Sequence, residues 1–262
     1  MVKPRLIPVL LLQNGLLVRS ERFALHQIIG NPIHEVERFN QWNVDELIYL
    51  DITRDGAYDM RRDDAKVKGL TDPLAILEAV SRSCFMPLTW GGRIRSLADM
   101  ADRFARGADK ITINTAALAD PGLIEAAARR FGSQAVVVGI DVRRTPEGGT
   151  EVMTDGGTTT TGRTAAAWAR EAEARGAGEI LLQSVDRDGA GRGYDLEMIA
   201  EVADATGLPV IALGGVGRYE DYAKGLAAGA SAVAAANIWH FREMADRGGK
   251  RALAKAGWPV RM

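Results

Sequence analysis

The sequence predicts a single (β/α)8 barrel, of the TIM-barrel class, built from two repeated half-barrels. Three observations carry this. Short apolar runs alternate with amphipathic stretches along all 262 residues, a length usual for one such barrel. Several of the runs are apolar almost throughout, as parallel strands covered on both faces must be. The chain also repeats itself. "ELIYLDITRDG" at 46–56 lines up with "EILLQSVDRDG" at 179–189, so that Glu46 matches Glu179 and Arg54-Asp55-Gly56 matches Arg187-Asp188-Gly189.

Taken in order, the strands are expected at 5–11, 46–52, 86–90, 110–113, 135–141, 179–185, 209–213 and 232–236. Helical patterns fill the gaps at 32–43, 72–83, 96–106, 120–131, 163–175, 195–206, 219–228 and 239–255. Eight and eight in strict alternation is the mark of the barrel. No Pro/Gly-rich linker divides the chain, so the half-barrels, about 1–132 and 133–262, form one domain. The stretch 142–162, rich in Gly and Thr, reads as a small hairpin after strand 5, and 14–31 as a long loop after strand 1. Both belong over the C-terminal face, where barrel enzymes keep their chemistry.

Bulk numbers exclude several function classes. A formal net charge of −1 gives no global field toward nucleic acid or an anionic membrane. Cys84 is the only cysteine, which allows no intrachain disulfide and fits a reducing cytoplasm. The apolar run at the N-terminus is too short to span a bilayer and precedes no cleavage site, so neither signal peptide nor anchor is expected. Three scattered histidines, His26, His34 and His240, predict no metal site. No GxGxxG follows the first strand, and no cofactor is expected.

Gly-Gly turns follow strands 3 and 7, at Gly91-Gly92 and at Gly214-Gly215, and each precedes a helix. Glycine lets backbone approach a ligand closely, and free N–H groups at a helix start favour phosphate. Strands 4 and 8 end at Asn114-Thr115 and Ala236-Asn237. Two phosphate cups across one mouth are therefore expected, and with them a ligand with two anionic ends. Arg93 stands beside the first cup as a candidate cation. Strand 5 ends on an acid, Asp141, whereas its repeat partner in strand 1 is Leu11. At the opposite end, Arg5, Glu46, Lys110 and Glu179 open strands 1, 2, 4 and 6. From composition alone that ring reads as a structural ion-pair network.

The motifs "DELIYLDIT", "GADKITINTAAL", "FGSQAVVVGIDVRR", "GAGEILLQSVDRDG" and "GGVGRYEDY" closely resemble the HisF family, the cyclase subunits of imidazole glycerol phosphate synthase, from Arg5 to about Phe241. The resemblance implies an ammonia-using synthase or lyase subunit fed through the barrel floor by a HisH-like class-I glutaminase. It turns Arg5, Glu46, Lys110 and Glu179 into an ammonia gate, and places Asp109 at the partner interface. It implies two catalytic aspartates, of which Asp141 is one and Leu11 replaces the other; leucine cannot hold or release a proton. Asn114, Thr115, Asp188, Gly189 and Gly215 keep the family's phosphate-contacting types. Gly92-Arg93, Gln183, Leu213, Gly156 and Asn237 depart from it, and Arg19 stands in for a mobile-loop lysine. These departures look like a side branch, the glycosyl-amidation-associated (WbuZ-like) proteins of surface-polysaccharide pathways. The leading expectation is thus amination of a phosphorylated or nucleotide-linked sugar. The alternatives are the histidine-pathway cyclase itself and a non-catalytic scaffold and ammonia conduit.

Overall fold

The computed structural model describes residues 3–42, 44–54, 56–59 and 72–261. Asp55 of the repeated Arg-Asp-Gly triplet lies outside them. The chain opens with β1 (Arg5–Gln13), which turns at Asn14-Gly15 into a hairpin of β2 (Leu16–Glu21) and β3 (Leu25–Gly30). Then come α1 (Pro32–Gln41), β4 (Leu47–Asp51), α2 (Pro73–Ser81), β5 (Leu88–Gly91), α3 (Leu97–Ala105) and β6 (Lys110–Ile113). A short α4 (Thr115–Ala119) precedes α5 (Gly122–Phe131) and the long β7 (Val136–Arg144), which folds back on β8 (Thr150–Thr154) and a two-residue β9 (Thr159–Thr160). The rest alternates: α6 (Ala165–Ala174), β10 (Glu179–Ser184), α7 (Leu196–Ala205), β11 (Val210–Leu213), α8 (Glu220–Ala227), β12 (Ala232–Ala235), α9 (Ile238–Phe241) and α10 (Ala245–Lys255).

Eight strands pair in parallel in the order β1-β4-β5-β6-β7-β10-β11-β12, and β12 returns to β1 through Arg5↔Ala232 to Pro8↔Ala235. The sheet is therefore closed, as predicted. Side-chain alternation sorts the core into two layers. Leu6, Leu10 and Leu12 face the helices, whereas Ile7, Val9 and Leu11 face inward with Ile48, Val137, Leu181, Ile211, Leu213, Ala232 and Ala234. Arg5 has the inward parity too, so one row of β1 runs from the charged floor through apolar residues to Leu11.

Helix starts follow local chemistry. Asn31, Asp72, Ser96, Thr164 and Asp195 each cap a helix through a side-chain oxygen, with Pro32 and Pro73 at the first turn of α1 and α2. Two expectations need correction. Residues 14–31 are not a loop: Asn14 and Gly15 take φ of 50° and 78°, the left-handed pair of a tight hairpin turn, and launch β2 and β3. The helix expected over 239–255 is broken in two, because Met244 adopts a left-handed φ of 50° ahead of α10. No helix among the described residues is long and apolar enough to cross a membrane.

Candidate functional site at the barrel mouth

Asp141 lies in β7 beside Gln183 of β10, in register with it. Its Oδ2 accepts a hydrogen bond from Asn114 Nδ2 at 2.8 Å. Burial raises its pKa to about 7, with the nearby Asp188 carboxylate adding to the rise and Asn114 opposing it. Asp188 follows β10 and is itself buried. Burial pushes its pKa up, against Ser20, the Phe23 N–H, His26 and Gln183, which favour its charged form. Two carboxyls thus share one mouth, and the shift on Asp141 is that of a group poised to exchange a proton near neutrality.

Leu11, where the resemblance implies a second aspartate, is 4% exposed and packed with Val18 and Leu213. β1 continues past it, pairing Leu11 with Leu50 on one side and Val18 of the hairpin on the other. The mouth is therefore two-sided: polar around Asp141, Asn114, Gln183 and Asp188, apolar around Leu11, Val18 and Leu213.

The glycine turns are required by backbone approach. A Cβ on Gly92 (φ +88°) would sit 2.0 Å from the Asp51 carbonyl oxygen, and one on Gly214 (φ +100°) 2.9 Å from the Ser184 carbonyl oxygen. Gly215 and Gly189 are equally closed to a side chain, facing Gly193 and Ser20 main chain at 2.3 Å. In the first cup Asn114 keeps a buried Oδ1 without a partner among the described residues, and in the second Asn237 does the same. Ala236 packs on the inward apolar cluster. Thr115 Oγ1 accepts from Thr154 Oγ1 at 2.9 Å and from Asp155 N at 3.3 Å, tying α4 to the β8 hairpin. Arg93 holds a left-handed φ of 55°, stacks over Tyr58 at 5.5 Å, donates to the Gly56 carbonyl, and leaves Nη1 buried without a partner among the described residues.

Some expected residues are already engaged elsewhere. Arg19 donates Nε to Gln27 Oε1 at 2.7 Å and lies 5.9 Å from the Phe241 ring, a bond within the hairpin rather than a reach into the cups. The hairpin closes on the second cup through other residues. Ser20 Oγ donates to Asp188 at 2.6 Å, and Asn237 Nδ2 donates to the Ser20 carbonyl at 2.9 Å. Ser20 gave no signal as a site residue in the sequence. Asp51 did: it ends an apolar strand, "LIYLD", as Asp141 ends "VVVGID". It is 4% exposed, accepts from Tyr58 OH at 2.9 Å, and burial raises its pKa while Thr53, Tyr58 and Arg93 oppose the rise.

At the floor the four charges close into a cycle. Arg5 reaches Glu46 at 2.6 Å and Glu179 at 3.2 Å; Lys110 reaches Glu46 at 3.2 Å and Glu179 at 3.0 Å. Thr89 Oγ1 adds a bond to Glu46 at 3.0 Å. Asp109 is not in the cycle; it accepts from the Leu88 N–H at 2.8 Å at the start of β5. Glu46 is 2% exposed, so its removal leaves two cations underpaired in a confined space. Glu46→Gln is expected to cost about 2–3 kcal/mol, a fall in Tm of roughly 5–10 °C in a thermal melt. An unchanged Tm would show that the cycle contributes nothing to folding.

Fold and site together define a (β/α)8 barrel with a near-neutral carboxyl at its C-terminal mouth and a closed ring of alternating charge at its floor. The chain belongs to the histidine biosynthesis protein family, whose model matches residues 5–245. It is similar to the HisF subunits of imidazole glycerol phosphate synthase from Hyphomonas neptunium (44% identical, covering 100% of this chain and 99% of that one), Gluconacetobacter diazotrophicus (43%; 100% and 97%) and Corynebacterium diphtheriae (40%; 99% and 99%). These similarities correct the leading sequence expectation. They favour the histidine-pathway alternative, and none speaks for the polysaccharide branch.

Proposed function

We propose that the chain is the cyclase-type subunit of an imidazole glycerol phosphate synthase, using ammonia on a substrate with two anionic ends. The observation that carries this reading is Asp141, an inward carboxyl with a pKa of about 7, standing at the mouth of the same barrel whose floor holds the charged ring. Near neutral pH such a group is close to half protonated, so it both accepts and returns a proton. Asn114 orients it, and Gln183, its neighbour in register, bonds Asp188 instead. Gly92, Arg93, Asn114 and Thr115 form one anion cup; Asp188, Gly189, Gly214, Gly215, Ala236 and Asn237 form the other, on which the hairpin carrying Arg19 closes. Ammonia comes from a class-I glutaminase docked at Arg5, Glu46, Asp109, Lys110 and Glu179. It crosses an interior lined by Ile7, Val9, Ile48, Val137 and Ile211, where a neutral amine travels more readily than a cation. No cofactor takes part in this scheme.

Leu11 supports a second reading, amination of a different phosphorylated sugar, because half of a two-proton relay is replaced by hydrocarbon. One assay separates the two. Pure protein with ammonia and the aminoimidazole ribonucleotide of the histidine pathway is expected to form imidazole glycerol phosphate at a rate of order 1 s⁻¹. Turnover absent here and present with a sugar phosphate acceptor would establish the second.

A further inference from the structure

The β2–β3 hairpin bridges the mouth. It springs from β1, and β7, which carries Asp141, stands directly across the barrel, four strands away in either direction. The hairpin tip is fixed on that far side. The Arg22 N–H donates to the Asp188 carbonyl at 2.9 Å, and the Phe23 N–H to Asp188 Oδ2 at 3.3 Å. A Cβ on Gly157, in the turn after β8, would meet Phe23 Cδ2 at 3.0 Å and Val185 Cγ1 at 3.3 Å. The two proposed cups lie across the other diameter, one after β5 and β6 and one after β11 and β12. A ligand that spans them passes beneath the hairpin, which covers its middle rather than its anionic ends.

Register decides which hairpin residues face down. Cross-strand partners share a face, and faces alternate along each strand. Val18 pairs with Ile28, and Ser20 with His26 two residues nearer the tip. Val18 and Ile28 pack with Leu11 and Leu213, and Ser20 Oγ reaches Asp188, so this is the face turned to the mouth. Arg19 and Gln27 occupy the other face and bond each other there. His26 is thus half-buried on the underside, in the next pair after the one that covers Leu11. Two charges reach it from different rims, Asp188 after β10 and Arg54 after β4. Burial lowers its pKa from the ordinary histidine value of 6.5; Asp188 opposes this and Arg54 adds to it. Near pH 7 the imidazole is therefore mostly neutral, with one ring N–H to give.

We infer that His26 is a second catalytic group of this mouth, whose ring N–H meets the oxygen that ammonia displaces, opposite Asp141 and above the hydrocarbon of Leu11. The inference rests on the proposed ammonia-dependent reading. Ammonia that attacks carbon sheds a proton, and the oxygen it displaces gains negative charge and then a proton. Asp141 takes the proton from nitrogen and returns it to oxygen; the His26 N–H stabilises the charge on oxygen between the two events. A neutral imidazole can do this as a hydrogen-bond donor, without ionising itself. The group that β1 lacks is then supplied from above, by the hairpin that β1 itself carries.

Steady-state assay of the full chain with ammonia and the aminoimidazole ribonucleotide tests this. His26→Phe keeps a ring without an N–H, and His26→Gln keeps an N–H donor without the ring. His26→Phe is expected to lower kcat by about 10²–10³, the usual cost of one such donor, with KM within about threefold. His26→Gln is expected to recover about tenfold or more of that loss. The reverse order, which a packing role would give, or an unchanged kcat in His26→Phe, overturns the inference and leaves the proposed activity standing. No ring formation by the unaltered chain removes the activity and the role of His26 together. Ring-proton NMR checks the placement without turnover: His26 should titrate below 6.5, and lower again in Asp188→Asn. A midpoint at or above 6.5, or one indifferent to Asp188→Asn, shows an imidazole that is charged or turned away from the mouth, and also overturns the inference.

Discussion

Asp141→Asn is expected to lower ammonia-dependent turnover by about 10²–10⁴, the usual size of a lost general acid–base group, with little change in KM. In the unaltered chain kcat/KM should rise with pH through an apparent pKa near 7, the value that burial and Asp188 give Asp141. The variant's residual rate should lack this limb. Asp188→Asn removes the like charge and should shift the limb below 7. A pH profile unchanged in Asp141→Asn would remove Asp141 from the chemistry.

The same carboxyl has a stability consequence with a definite sign. Its folded pKa lies above the ordinary aspartate value of 3.8, so the folded state holds its proton to higher pH than the unfolded chain does. Below about pH 4 both states are protonated and the group costs nothing. Between about 4 and 7 the cost of keeping it buried grows, and above 7 it is constant. Partial solvent access at the rim discounts the full shift, leaving about 1–3 kcal/mol. Asp141→Asn should therefore melt higher than the unaltered chain at pH 8 and level with it at pH 3.

Leu11→Asp is expected to act in two opposite directions. It supplies a second ionisable group on the inward face, and ammonia-dependent ring formation should rise about tenfold or more. It also removes a side chain packed against Val18 and Leu213 and buries a carboxyl in its place. A loss of about 2–4 kcal/mol should follow, read as a lower Tm that drops further as pH rises. Leu11→Asn is the control, sharing the packing loss without the ionisation. If Leu11→Asp gains nothing over Leu11→Asn, the missing carboxyl is not what limits the reaction.

Much of the scaffold was legible because it is written in short-range chemistry. Strand β6 falls at Lys110–Ile113 as expected, and the other barrel strands deviate by a few residues at their ends. Apolar runs between capped helices leave a closed parallel sheet as the natural arrangement. The hairpin after β1 was less legible. Its strands have mixed burial, and β3 alternates exposed and half-buried residues over a rim rather than a core. Met244 reads as a good helix residue, yet the chain bends there between the buried Trp239 and Ala245.

The candidate site divides in the same way. Asp141, the glycine turns and the four floor charges could be picked out by position along each strand. That Arg5, Glu46, Lys110 and Glu179 make one closed cycle could not, because they are separated by up to 174 residues and meet only when the barrel closes. Arg19 was placed by its position in the chain, but Gln27 across the hairpin decides where its guanidinium goes.

By itself, the sequence determined the alternation of eight strands and helices, the acid within β7, and the leucine in β1 at the matching position. These depend on periodicity and residue type, which act over a few residues. Only the tertiary structure decided that Asp188 stands near enough to Asp141 to raise its pKa, and that the hairpin is bonded to Asp188 through Ser20. Charge interaction and burial depend on distance in space, and those distances are set only when distant segments pack together.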